Sequence, residues 1–151
     1  MRTYLKHIAK TQLLGIVDTK IDHLNEKVFL LKRSGDTLFK NFGINKYFIS
    51  KDLIFPDALQ LEDQLAKLEH LKKRISKIDL YKKSNIVEFG SLVITNLAIY
   101  FISGGFGLVE INGDKIYAIS LASEMGKVLE GKIVGDKIDY KERTIEIIDI
   151  F

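Results

Sequence analysis

The chain has 151 residues, 46% of them hydrophobic and 28% charged, with a formal net charge of +3 and no cysteine. That much apolar content excludes a disordered chain and fits one ordinary domain or two small ones, while the lack of cysteine excludes disulfides and thiolate zinc sites. No stretch reaches the roughly 18 uninterrupted apolar residues of a membrane span, and Lys6, His7, Lys10 and Gln12 break up any signal-peptide core, so a cytoplasmic protein is expected.

The charge is uneven. Residues 1–83 carry 17 Lys and Arg against 10 Asp and Glu, whereas residues 84–151 carry 6 against 10. Two solvated surfaces would explain this, and so would a basic half that meets an acidic partner.

Leu14, Val17, Ile21, Leu24, Val28 and Leu31 recur at spacings of 3, 4, 3, 4 and 3. That period predicts a helix with one apolar stripe, suited to a coiled-coil seam. Lys20, Asp22, Glu26, Lys27 and Lys32 fall off the stripe. The helix is expected to start between Arg2 and Tyr4 and to stop at Ser34-Gly35, where glycine can take the left-handed closing position. A second helix is expected from Pro56, with Asp57 near the positive end of its dipole. Its stripe is Leu61, Leu65, Leu68, Leu71, Ile75 and Ile78. Two singly striped helices bury their stripes by folding back on one another, so residues 1–83 read as an antiparallel helical hairpin.

The segment between them, residues 35–55, is the predicted tip. It holds Phe39, Phe42, Tyr47 and Phe48 among other apolar residues. Such a segment either buries its rings locally or presents them as a docking patch.

Lys82-Lys83-Ser84-Asn85 reads as a junction, and the texture then changes to strands. Runs over 91–95, 98–102, 108–111, 115–120, 137–140 and 144–150 are β-branched and apolar, with Asn112-Gly113 a strong hairpin signal and Gly104, Gly105 and Gly107 a looser bend. On the last run Ile145, Ile147 and Ile150 are assigned to one face and Ile148 to the other. One short helix, Ser123 to Leu129, is all that this half offers to cover the sheet. Residues 84–151 are therefore expected to be a five- or six-stranded, mostly antiparallel sheet, which makes the whole chain α+β. Ser123 would cap the short helix, Gly126 would let it approach the sheet, Gly131 would end it, and Gly135-Asp136 would turn the chain into the next strand.

The block "SLASEMGKVLEGKIVGD", Ser120 to Asp136, resembles the C-terminal domain of the GreA/GreB family of bacterial transcript cleavage and elongation factors. Gly126, Leu129, Gly131, Lys132, Gly135 and Asp136 match the family's glycine, Leu-x-Gly-Lys and Gly-Asp positions, and Ser120 its leading serine; Leu121 stands where the family has proline. The lead-in "VEFGSLV", Val87 to Val93, and the close "TIEII", Thr144 to Ile148, are similar too. The likeness extends to the small GreA/GreB-like proteins of Bacteroidetes type. It implies a coiled-coil hairpin followed by an FKBP-like domain, and RNA polymerase as partner, with the C-terminal domain seated at the secondary channel through the Ser120–Asp136 positions and the hairpin reaching inward.

The family's tip has a Gly-Asp followed closely by a Ser-Glu, acids that help hold a metal for RNA cleavage. Here Gly35-Asp36 matches the first pair, but Phe39 stands three residues after Asp36, and the next acid is Asp52. Asp36 is thus a weak catalytic candidate, with a turn or capping role as its alternative. The expectation is a regulator of RNA polymerase, not an enzyme in its own right, with no cofactor and no metal.

His7, His23 and His70 lack helix-borne metal spacing, and Gly104-Gly105-Phe106-Gly107 lacks the lysine of a phosphate loop. Lys72, Lys73, Arg74 and Lys77 form a basic stretch that either meets phosphates or an acidic surface or merely solvates the helix. Nothing resembles a recognition helix, so no sequence-specific DNA binding is expected. The alternatives left open are a protein-interaction module unrelated to transcription, with a homodimer as one form, and a cleavage factor whose acids meet in the folded tip.

Overall fold

The computed structural model describes residues 2–42, 56–111 and 113–151, with side chains over 3–34, 57, 59–111 and 113–151. The order is α1 (Arg2–Phe42), α2 (Pro56–Ser76), β1 (Leu92–Thr95), β2 (Ile99–Ile102), β3 (Gly107–Ile111), β4 (Asp114–Ile119), α3 (Glu124–Leu129), β5 (Lys137–Tyr140) and β6 (Arg143–Ile150). The chain is α+β, as expected. It divides into two compact units, one of residues 15–73 and one that joins residues 1–14 to residues 74–151.

In residues 15–73 the stripes are where periodicity places them. Val17 and Val28 are buried and Ile21, Leu24 and Leu31 half-buried on α1; Leu61, Leu65, Leu68 and Leu71 are half-buried on α2. Lys32 pairs with Glu62 at 2.6 Å, and Asp18 pairs with Lys72. Early residues of α1 therefore meet late residues of α2, which makes the pair antiparallel.

The predicted stop at Ser34-Gly35 is corrected: α1 runs through both residues to Phe42. A helical glycine costs only about 1 kcal/mol relative to alanine. The Ser34 hydroxyl donates to the Leu30 carbonyl at 2.9 Å, so this serine is satisfied inside the helix instead of ending it. Positions 35–42 of the expected tip are thus helical in backbone, and residues 43–55 lie outside the described residues.

The sheet has the order β3-β4-β2-β1-β6-β5, with only the β2–β4 pairing parallel. Ile111 stands opposite Asp114, the register of a two-residue hairpin; Asn112 itself lies outside the described residues. A register shift against β1 pairs Ile94 with Asp149 and Thr95 with Ile147, so Ile148 is an extra residue, a β-bulge. The bulge resets the alternation. Ile145, Ile147 and Ile150 are all buried while Ile148 is 51% exposed.

The β5–β6 hairpin closes on Lys141 and Glu142 at φ 47° and 63°, both left-handed as a type I′ turn requires. Lys141 is anchored to Glu124 at 2.9 Å.

One sheet face packs with α3. Val93, Ile102, Ile147, Ile150, Val87 and Leu129 form its core, with Met125 and Tyr100 against it. Leu92, Phe101, Ile116 and Ala118 point the other way and are also buried. One short helix cannot cover both faces. Within this compact unit the remaining cover among the described residues is the helical residues 2–14 and 74–76, whose Ala9, Leu13 and Ile75 are buried, as is Ile78 just beyond α2. As expected, α3 is the one helix that residues 84–151 themselves offer; the further cover comes from outside that half. Lys10 reinforces this base: its ammonium donates to the Ser76 carbonyl at 2.8 Å and the Ile78 carbonyl at 2.9 Å, capping the end of α2.

Candidate functional site: the Ser120–Asp136 loop, helix and turn

Ser123 begins the block as the N-cap of α3. Its hydroxyl donates to the Ser120 carbonyl at 2.7 Å and accepts from the Gly126 amide at 3.0 Å. These two bonds fold residues 120–123 back over the first turn of the helix. A Cβ on Gly126 would lie 2.0 Å from the Ser120 carbonyl oxygen and 2.9 Å from Leu121 Cα. Gly126 is thus required by the incoming chain, not by the sheet as expected. Leu129 is buried in the core, so it shapes the block from beneath.

After the helix, the chain is clamped to the strand lead-in. The Gly131 amide donates to the Val87 carbonyl at 2.9 Å, and the Val87 amide donates to the Lys132 carbonyl at 2.8 Å. This sets Ile86 opposite Ile133 in a single antiparallel bridge. Residues 133–136 then form a tight turn with Gly135 at φ 91°, the left-handed third position of a type II turn. The Asp136 carboxylate accepts from the Ile133 amide at 2.9 Å, and the Gly135 amide donates to the Ile147 carbonyl at 2.8 Å. Asp136 therefore fixes the turn, while Lys132 is exposed beside it.

The result is an apolar face that sequence reasoning missed. Ile86, Ile133 and Val134 are 46%, 48% and 50% exposed, and the backbone clamps hold them in place. The signal was available: two aliphatic residues between glycines in a tight turn have little room to turn inward.

The basic stretch splits by partner. Lys72 is held by Asp18, whose hydrogen bond pushes its pKa up. The Arg74 guanidinium lies 3.9 Å from the centre of the Phe89 ring. Lys73 and Lys77 are exposed in area. Of the predicted tip residues, Phe39 and Phe42 are helical in backbone, with side chains outside the described residues, and Tyr47 and Phe48 lie outside them altogether. Asp36 is likewise helical in backbone, which removes the expected turn at that position. Among the described residues no group of three or more His, Asp or Glu is arranged to hold a metal, and no helix is long and apolar enough to cross a membrane.

No family model and no curated protein matches the chain. Among solved structures, the transcription factor Gfh1 aligns over 91% of this chain and 92% of that chain, at 17% sequence identity and a TM-score of 0.34. A likeness of that size leaves function to be argued from the residues themselves.

Proposed function

We propose that the chain is a transcription elongation regulator of GreA/GreB type that binds RNA polymerase, acts through its secondary channel and lacks efficient transcript cleavage. The observation that carries this reading is the Ser120–Asp136 block. The residues that resemble the family's are the ones that build the block: Ser120 and Gly126 in the fold-back, Leu129 beneath it, and Gly135 and Asp136 in the turn. They hold Ile86, Ile133 and Val134 outward, the kind of rigid apolar patch that docks on a protein partner. The antiparallel helices match the hairpin that the resemblance implies. A regulator, not a cleavage enzyme, follows from the tip sequence, where Phe39 stands in place of a second acid near Asp36.

Transcription with purified core polymerase tests this directly. Added protein is expected to change the lifetimes of paused or backtracked complexes. No short 3′ RNA fragment should appear above the polymerase's own background, and Asp36→Asn should leave the effect unchanged. Fragment release that Asp36→Asn abolishes would establish a cleavage factor instead. No change in any elongation complex would remove the transcription reading.

A further inference from the structure

A second feature lies away from the Ser120–Asp136 block. At the base of the helices, within the compact unit of residues 1–14 and 74–151, a cleft of about 310 Å³ is lined by Lys6, Arg74, Lys77 and Lys82, with Asp79 and Glu88 the carboxylates among them. That volume is at the lower end of small-molecule sites. Counting side chains alone, with all four cations charged, the lining carries two positive charges in excess; Phe151, the last residue of the sequence, lines it too.

The cations are not equivalent. Lys82 is committed to Glu88 at 2.7 Å, which holds the Glu88 carboxyl below its usual range. Arg74 is braced on the Phe89 ring, and the Asp79 carboxylate accepts from the Tyr81 amide at 2.8 Å. Lys6 is the unusual member: it is only 3% exposed, the one buried charged side chain among the described residues. Burial lowers its pKa, against the opposing pull of Asp79 and Glu88. A buried lysine is a stability cost that an apolar residue of the same length would remove. Asp79 and Glu88 are the carboxylates that favour the Lys6 charge, but Glu88 is already paired with Lys82 and Asp79 already accepts from the Tyr81 amide.

We infer that this cleft binds a phosphate-bearing small molecule of mononucleotide size or less, with Lys6 and Arg74 as its main cationic contacts and Lys77 at the rim. A concave site with cations converging on one volume suits a compact anion, whereas a nucleic-acid strand needs a track of phosphate contacts. The inference does not depend on a role in transcription.

Titration of the full chain with magnesium-free ATP, inorganic pyrophosphate and a short single-stranded RNA, followed by amide chemical shifts, tests it. Micromolar binding of ATP or pyrophosphate that shifts Gly90 and Ser91 is expected. Lys6→Met and Arg74→Gln should each weaken it about tenfold or more, while Lys67→Gln, outside the cleft, leaves it unchanged. ATP binding tenfold tighter than pyrophosphate would assign a nucleotide, and equal affinities would assign the free anion; either supports the site. Lys77→Gln, at an exposed position, keeps the test valid should Lys6→Met fail to fold, and is expected to weaken binding two- to fivefold. No binding at millimolar ligand, binding indifferent to these substitutions, or RNA bound more tightly than both anions would overturn the inference.

Discussion

Residues 15–73 and the unit built from 1–14 and 74–151 bury their apolar side chains in different ways. In the first, each helix gives the other a single stripe, and among the described residues only Val17 and Val28 are buried hydrophobics. Its ion pairs between the helices, Lys32–Glu62 and Asp18–Lys72, are exposed enough for solvent to screen them. In the second, the central strands carry buried residues on both sheet faces, with α3 packed on one, and the buried Ala9, Leu13 and Ile75 of the helical base belong to the same compact unit. Stability therefore concentrates in the sheet unit, and the helical stretch is the part free to open locally. The lesson is that a sheet unit can recruit cover from distant sequence, so the change of texture after residue 83 does not coincide with the edge of a compact unit.

The sharpest way to break this contrast is to cut at that change of texture. A fragment of residues 84–151 lacks Ala9, Leu13, Ile75 and Ile78, so Leu92, Phe101 and Ile116 lose their cover. It is expected to lose cooperative unfolding and to bind a hydrophobic dye, as seen by calorimetry and fluorescence. A fragment that melts as sharply as the whole chain would show that the base contributes nothing.

Next in size is Gly126→Ala, whose methyl would overlap the Ser120 carbonyl oxygen. A loss of about 3 kcal/mol is expected in urea unfolding. Gly105→Ala, with nothing within 4 Å of the added carbon, should change stability by no more than about 0.5 kcal/mol.

Smaller again is Val17→Ala in the helical seam, where about 2 kcal/mol is expected from the lost methyl groups and the space they leave. Hydrogen exchange should place that loss in residues 15–73, with the β1, β2 and β6 amides still protected. Loss of protection across the sheet would mean that the two units unfold as one.

The smallest effect is the pH dependence of Lys6. Its folded pKa lies below 10.5, so between the two values the unfolded chain binds more protons than the folded one. Stability from this group therefore rises with pH through that window, and is least where both states are protonated. Lys6→Met should melt higher than the parent at neutral pH, by a margin that narrows as pH approaches 10.5. A margin that stays constant would mean that burial does not control this lysine.

Much of the fold was legible because its signals are local. The 14–31 stripe, Pro56 at a helix start, and the six strand runs rest on period and turn chemistry, and each has its element in the structure. What was not legible depends on distant partners. Ala9, Leu13 and Ile75 look like more of the same helical stripe until the sheet's second face is seen. The Ile148 bulge exists only against β1, and Lys141-Glu142 turns without the usual glycine or asparagine because the whole hairpin imposes it. Gly35 was misread because a glycine that ends one helix is tolerated inside another. For the candidate site, the glycines and Asp136 could be named from the sequence, and Ile133 and Val134 carried a local signal, but Ile86 joins them only through the distant pairing with residues 131–133. Lys6 reads as one more solvated helix lysine beside Lys10, and only burial sets it apart.

The measurement that goes most directly to the proposed function is a titration of core RNA polymerase with the full chain and with Val134→Asp, a substitution at an exposed turn position that leaves the core intact. The full chain should bind at micromolar concentration or below, and Val134→Asp about tenfold or more weakly. A full chain that fails to bind at tens of micromolar, or a Val134→Asp variant that binds equally well, would contradict docking through the face that Ser120–Asp136 presents.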